Sequence, residues 1–117
     1  MSSRKQRGRD TERLVADYLR DHGWPYAEPV GAGRPGPDIT GTPSLAIEVK
    51  ARRGLNLPGW LKQATTADTT RTPLLIIRGD GQGPTSIDSW AAVMPLGIAI
   101  QQLRDAGHGN PQLKENA

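Results

Sequence analysis

Hydrophobic and polar residues alternate most clearly near 44–51, where Leu45, Ile47 and Val49 interleave with Ala46, Glu48 and Lys50. Side chains two apart share one face of a strand. The pattern therefore predicts a strand that turns its apolar set into a core and points Glu48 and Lys50 the other way. Just upstream, Pro37-Asp38-Ile39-Thr40-Gly41 predicts a partner strand near 38–41, joined through Gly, Pro and Ser turn residues. A helical spacing governs residues 10–21: Leu14, Val15, Tyr18 and Leu19 form a stripe, Asp10 or Thr11 is placed to cap it, and His22-Gly23 to stop it. Residues 24–30 predict a first strand interrupted by Pro25 and Pro29, followed by a Gly/Pro loop over 31–36. Asn56 or Pro58 opens a second helix that reaches about Thr69. The unbroken run Leu74, Leu75, Ile76, Ile77 predicts a buried central strand over 73–78. A Gly-rich loop over 79–86, a strand over 89–94 and a helix from Pro95 to about Ala106, with Leu96, Ile100 and Leu103 on one face, complete the set. This order predicts an α/β fold, a mixed central β-sheet flanked by α-helices.

A chain of 117 residues, with no internal repeat or linker, predicts a single domain with a basic flexible arm at 1–9 and a loose tail at 107–117. Phe is absent, so the core should be small and aliphatic, with Trp24, Trp60 and Trp90 as its largest members. The absence of cysteine excludes disulfides and Cys-based zinc sites. His22 and His108, the only histidines, are far apart and argue against a His-rich metal centre or a Ser-His triad. No apolar run approaches the ~20 residues that span a bilayer. The basic start is not followed by the apolar segment of a signal peptide. The expectation is a cytoplasmic protein with no membrane partner.

Charge is mild in total but uneven. Arg4, Lys5, Arg7 and Arg9 crowd the first nine residues, and Arg52 and Arg53 follow directly on Lys50. A basic arm and a basic patch beside carboxylates suggest a phosphate-backbone partner, the alternative being a solvated arm. Asp38, Glu48 and Lys50 would converge through the hairpin. Two carboxylates and an ammonium can hold a hard divalent cation beside a phosphate. Each residue has a plainer reading. Asp38 can cap a turn, and Glu48 and Lys50 can be an exposed strand pair. Glu12, in the first helical turn, is favourable there through the helix dipole alone.

The residues Pro37-Asp38 and Glu48-Val49-Lys50 resemble the "PD" and "ExK" of the PD-(D/E)xK nucleases, which share the restriction-endonuclease-like fold. Within that superfamily the chain is most similar to the archaeal-type Holliday junction resolvases, over residues 9–94. The likeness includes an early helical glutamate (Thr11-Glu12-Arg13-Leu14), a Gly-terminated helix end, the Gly-rich approach to Asp38, the Ile47-Glu48-Val49-Lys50 strand, a polar helix and the apolar strand over 73–78. The resemblance implies a Mg²⁺-dependent DNA endonuclease of recombination and repair, with Mn²⁺ substituting, acting on branched DNA as a homodimer in the cytoplasm of a bacterial, archaeal or phage-infected cell. It implies metal ligation by Asp38, Glu48, the Val49 carbonyl and Glu12, and a water-orienting or charge-neutralising role for Lys50. In several branches of the superfamily a Gln on the helix after the catalytic strand touches the site; Gln63 matches that position, with a plain surface role as its alternative. Arg34, Arg52, Arg53 and Lys62 join the arm as candidate phosphate contacts. Leu55, Leu57, Trp60 and Leu61 are a candidate dimer surface, Trp60 having base stacking and simple packing as further readings. One departure stands out. The resolvases carry a serine in the loop before the aspartate, and residues 29–34 here have none. Rival readings are another PD-(D/E)xK enzyme, such as a nickase or a phage or restriction-type nuclease, and a non-catalytic DNA-binding protein with a nuclease-like fold.

Overall fold

The structure, a computed structural model, describes residues 4–31, 34, 36–51, 56–67 and 70–110. In chain order its elements are α1 (Arg4–Asp21), β1 (Glu28–Pro29), β2 (Ile39–Thr40), β3 (Leu45–Lys50), α2 (Leu57–Ala67), β4 (Thr72–Ile77), a short 3-10 helix (Pro84–Ser89), β5 (Ala91–Val93) and α3 (Leu96–Asp105). The five strands form one mixed sheet in the order β1-β2-β3-β4-β5. Only β3 and β4 run parallel. A parallel pair needs a crossover, and α2 supplies it.

The helix α1 starts at Arg4, well before the expected cap at Asp10 or Thr11. Thr11 cannot serve as that cap. Its side chain is fully buried and its hydroxyl donates to the Arg7 carbonyl one turn back, 2.7 Å away. The preceding Arg, Lys and Gln residues are good helix formers, and Gln6 donates to Asp10 across one turn at 3.0 Å. The expected flexible arm is therefore helical from Arg4 onward. The other end stops as predicted. Gly23 adopts φ +113, and the Trp24 amide reaches back to the Leu19 carbonyl at 2.9 Å.

The first strand is shorter than expected. Only Glu28 and Pro29 pair with β2, on an edge where the missing proline N–H costs nothing. The hairpin turn between β2 and β3 is tight. Gly41 takes φ +76, and a Cβ there would overlap the Tyr26 carbonyl. The buried Thr42 donates its hydroxyl to the Leu45 carbonyl at 3.2 Å, closing the turn. Ile39 then lies opposite Ile47.

Burial on β3 departs from the predicted alternation: Ala46, Ile47, Glu48 and Val49 are all buried. The register explains why. Val49 pairs with Ile76, and Glu48 with Leu75. Ile47 and Val49 pack with Val15, Ala16 and Leu19 of α1, while Leu75 and Ile77 pack with Trp60 of α2. The two helices thus cover opposite faces, and Glu48 shares its face with Leu75 under α2. The expectation that Glu48 looks outward is corrected by this second cover. The same packing places Trp60, 7% exposed, in the core rather than on a dimer surface or a nucleic-acid face. The cap of α2 is the expected one: the Asn56 side chain accepts from the Gly59 amide.

The helix α3 keeps its predicted apolar stripe, which is left largely exposed. Leu96, Ile100 and Leu103 are 77%, 50% and 48% exposed. No helix among the described residues is long and apolar enough to cross a membrane. The tight turn yields a first prediction. Gly41→Ala forces a side chain into the left-handed region and against the Tyr26 backbone, so it should destabilise the fold by roughly 2 kcal/mol or more. Urea unfolding followed by Trp fluorescence reads this directly; an unchanged midpoint would contradict the turn geometry.

Candidate active site

The hairpin and helix α1 bring four of the sequence-predicted residues, Glu12, Asp38, Glu48 and Lys50, to one place near the carboxyl end of β3. Asp38 is fixed by backbone on both sides: its amide donates to the Ile47 carbonyl at 2.9 Å, and its carbonyl accepts from the Val30 amide at 2.9 Å. Its carboxylate Oδ2 accepts from the Val49 amide at 2.8 Å. That bond turns the Asp38 side chain towards β3, where it meets Glu48. The contact shown at Val49 is thus made by its N–H; its side chain lies in the α1 core.

Glu48 is only 3% exposed. Burial raises its pKa first, the charge of Asp38 and a hydrogen bond with Asp38 raise it further, Lys50 opposes this, and Glu12 adds a smaller upward push; together they hold it at about 7. Glu12 on α1 responds to the same cluster. Burial pushes its carboxyl up, the Asp38 charge pushes the same way, and Lys50 pulls it down. The Asp38–Glu48 pair is therefore in direct contact, with Glu12 and Lys50 within electrostatic reach. Glu12 is more than a first-turn carboxylate stabilised by the dipole: the helix begins two turns earlier, so that plainer reading no longer applies.

Other predicted residues fall elsewhere. Gln63 is exposed on α2, and no described contact joins it to the carboxylates. Lys62 is exposed beside it, and Arg34, Lys5 and Arg9 are exposed elsewhere. Arg52, Arg53 and Leu55 lie outside the described residues, as does the Arg4 side chain. Leu57 is 37% exposed, and Leu61 packs against the α2-side core.

Arg78, which sequence reasoning gave no part in the site, and Thr11, read only as a cap, stand beside the cluster. Arg78 follows directly on β4, and its amide donates to the Lys50 carbonyl at 2.8 Å. Its guanidinium donates to the Gln82 carbonyl at 2.7 Å and the Thr11 hydroxyl at 3.0 Å, and lies 5.4 Å from the Trp90 ring centroid. Thr11 is the immediate neighbour of Glu12. The available signal was positional: a cation ending a buried parallel strand stands where open α/β sheets bind ligands.

Among the described residues, no group of three or more His, Cys, Asp or Glu forms a ready cage for a metal ion. What the site offers is one carboxylate pair in hydrogen-bonding contact, a third carboxylate felt through space, and a lysine. All the acidic donors are hard oxygens, the type that Mg²⁺ and Mn²⁺ take. Two carboxylates whose charges oppose each other in a buried setting are a place where a cation can replace a shared proton. The donor set fits a divalent ion held by Asp38 and Glu48. A scan against protein-family models, a search of curated proteins and a search of solved structures each returned no match.

The raised Glu48 carboxyl predicts a pH effect on stability. Between the ordinary value of 4.5 and about 7, the folded chain keeps a proton that the unfolded chain has lost. Stability must therefore fall as pH rises through that window and level off above it. Glu48→Gln removes the ionisable group while keeping shape. In EDTA its melting temperature should exceed the parent's at pH 8, and the gap should close at pH 4.5. A parent whose melting temperature rises between pH 5 and 7, with no gain from the substitution at pH 8, would contradict the buried-pair reading.

Proposed function

We propose that this chain is a divalent-metal-dependent DNA endonuclease of the PD-(D/E)xK type, acting on branched DNA as a junction resolvase. The observation that carries this reading is the contact of Asp38 with Glu48 at the carboxyl end of β3/β4, with Lys50 and Glu12 in electrostatic reach. Asp38 and Glu48 would hold Mg²⁺ or Mn²⁺. When bound, the cation supplies positive charge at the phosphate and acidifies water. The chain's own residues set up the rest. The Val49 amide fixes the Asp38 carboxylate in orientation. Lys50 offsets the negative charge that gathers as water adds to phosphorus and the bond to the 3′ oxygen breaks. Glu12 sets the local field from α1. The buried wall formed by Leu75 and Trp60 behind Glu48 limits access of bulk water to the pair from that side.

A resolvase cuts two strands, so the reading includes a homodimer with two sites. With Trp60 in the core, the stripe Leu96, Ile100 and Leu103 on α3 is the apolar surface left for a second copy. The compartment would be one where DNA is handled, the cytoplasm of a bacterial, archaeal or phage-infected cell.

The deciding experiment is cleavage of a labelled panel of junction, fork, flap, duplex and single-stranded DNA in Mg²⁺. The parent should cut the junction in preference to the duplex. Asp38→Asn and Glu48→Gln should each lower the rate by ~100-fold or more while junction binding stays measurable. Since Glu48→Gln should be at least as stable as the parent at pH 8, lost cleavage there is not a folding defect. Retained cleavage in either variant defeats the assignment. Cutting of another substrate in the panel would point to a different PD-(D/E)xK enzyme. For the dimer, Ile100→Glu should lower the sedimentation mass to that of one chain; an unchanged mass would remove α3 from the interface.

A further inference from the structure

Arg7 and Arg78 come from opposite ends of the fold and meet over one turn. Arg7 donates to the Gly79 carbonyl at 3.3 Å. Arg78 donates to the Gln82 carbonyl and to the Thr11 hydroxyl, and Thr11 in turn donates to the Arg7 carbonyl. The partners of both guanidiniums are neutral: carbonyls, a hydroxyl and an indole face. Two arginines are thus held near each other in part-buried positions by neutral hydrogen-bond partners, with the charge of Asp10 felt by Arg78 through space. Buried ordinarily pairs with neutralised, because an unpaired charge out of water is costly. Burial and the neighbouring Arg7 charge both push the Arg78 pKa down, with Asp10 opposing, in keeping with crowded like charges.

We propose that Arg7 and Arg78 form a seat for a phosphate oxyanion next to the carboxylate site. The guanidinium fork suits phosphate oxygens in a way that a lysine does not. Arg78 is already immobilised by two hydrogen bonds and the Trp90 face, so little rotamer freedom is left to lose on binding. The location gives the seat a purpose. Arg78 is bonded through its backbone to Lys50, and strands lie about 4.8 Å apart. A DNA strand with its scissile phosphate at Asp38 and Glu48 would therefore offer a neighbouring phosphate to this pair. Assigning the phosphate to a nucleic-acid strand rests on the nuclease reading; the seat itself does not. On this view Arg7 and Arg78 are positioning residues that set the register of the strand, and the 79–82 turn is their scaffold.

The test uses the full chain with Arg7→Gln, which removes the charge but keeps a polar helix-forming side chain, and Arg78→Lys, which keeps the charge but not the fork. In the first arm, inorganic phosphate is titrated in EDTA against chloride at matched ionic strength while melting temperature is followed. Phosphate should raise it in the parent and lose most of that effect in both variants. In the second arm, a fluorescein-labelled four-way junction is bound in EDTA across a series of KCl concentrations. Arg7→Gln should weaken binding and reduce the slope of log K against log salt by about 1, the loss of one phosphate contact. Arg78→Lys should weaken binding with the slope kept. A structural clamp alone would alter melting temperature without altering the slope. Phosphate protection that is lost in the variants while junction binding stays intact keeps the seat and assigns it to a free phosphate. No phosphate protection in the parent, together with an unchanged slope in a folded Arg7→Gln, overturns the proposal. Neither arm requires cleavage, so a chain that binds but does not cut would defeat the nuclease reading and leave the seat standing.

Discussion

Glu48 lies on a strand that both helices cover, across from a second carboxylate, and at 3% exposure little water is left to stabilise a negative charge on it. Such a group needs a proton, a cation or a nearby ammonium. The surrounding structure provides for all three. The Asp38 contact lets a proton be shared, Lys50 lies on the same strand two residues on, and the oxygens can be given to a metal. The hairpin turn at Gly41, the Val49 amide and the crossover helix each matter chiefly because they fix that pair. Removing any one would let the carboxylates drift apart and lose their mutual influence.

Much of this was legible from side-chain spacing. The hairpin, β4, the Asn56 cap, the Gly23 stop and the start of α3 after Pro95 follow from local chemistry, and the structure has them where spacing puts them. Asp38 and Glu48 were placed together by turn length alone. The failures share a cause, which is long-range cover. Alternation on β3 reads as one buried face because sequence carries no sign that α2 returns over the other. Trp60 was expected among the largest core members and is there, but spacing alone left a dimer surface and base stacking open beside it. Thr11 resembles a cap until the burial of its side chain, and its bond to the Arg7 carbonyl, are known. Arg78 carried only its position at the end of a buried strand; its contacts depend on a helix that precedes it by most of the chain.

The extension of α1 also changes how the basic N-terminus can act. A flexible arm would offer charge to any nearby phosphate. A helix offers it at fixed intervals, with Lys5 and Arg9 outward and Arg7 turned in to the end of β4. Charge placed that way reads spacing along a partner as well as sign. The carboxylates and the two arginines then stand next to each other at one end of the sheet, a polarity that the mild net charge of +3 does not reveal.

The two halves of this end differ in how far apart their parts lie along the chain. Asp38 meets Val49 across 11 residues, but Arg7 meets Gly79 across 72. Close contacts form early and cheaply, while distant ones wait for the loop between them to close. The acidic half can therefore assemble with the hairpin, whereas Glu12 and Arg7 join only when α1 docks on a finished β4. The reverse holds when the molecule loosens. Partial release of α1 takes away Arg7 and the third carboxylate together, parts Arg78 from Thr11 and leaves the acid pair in place, so the proposed phosphate seat would be lost before the pair itself comes apart.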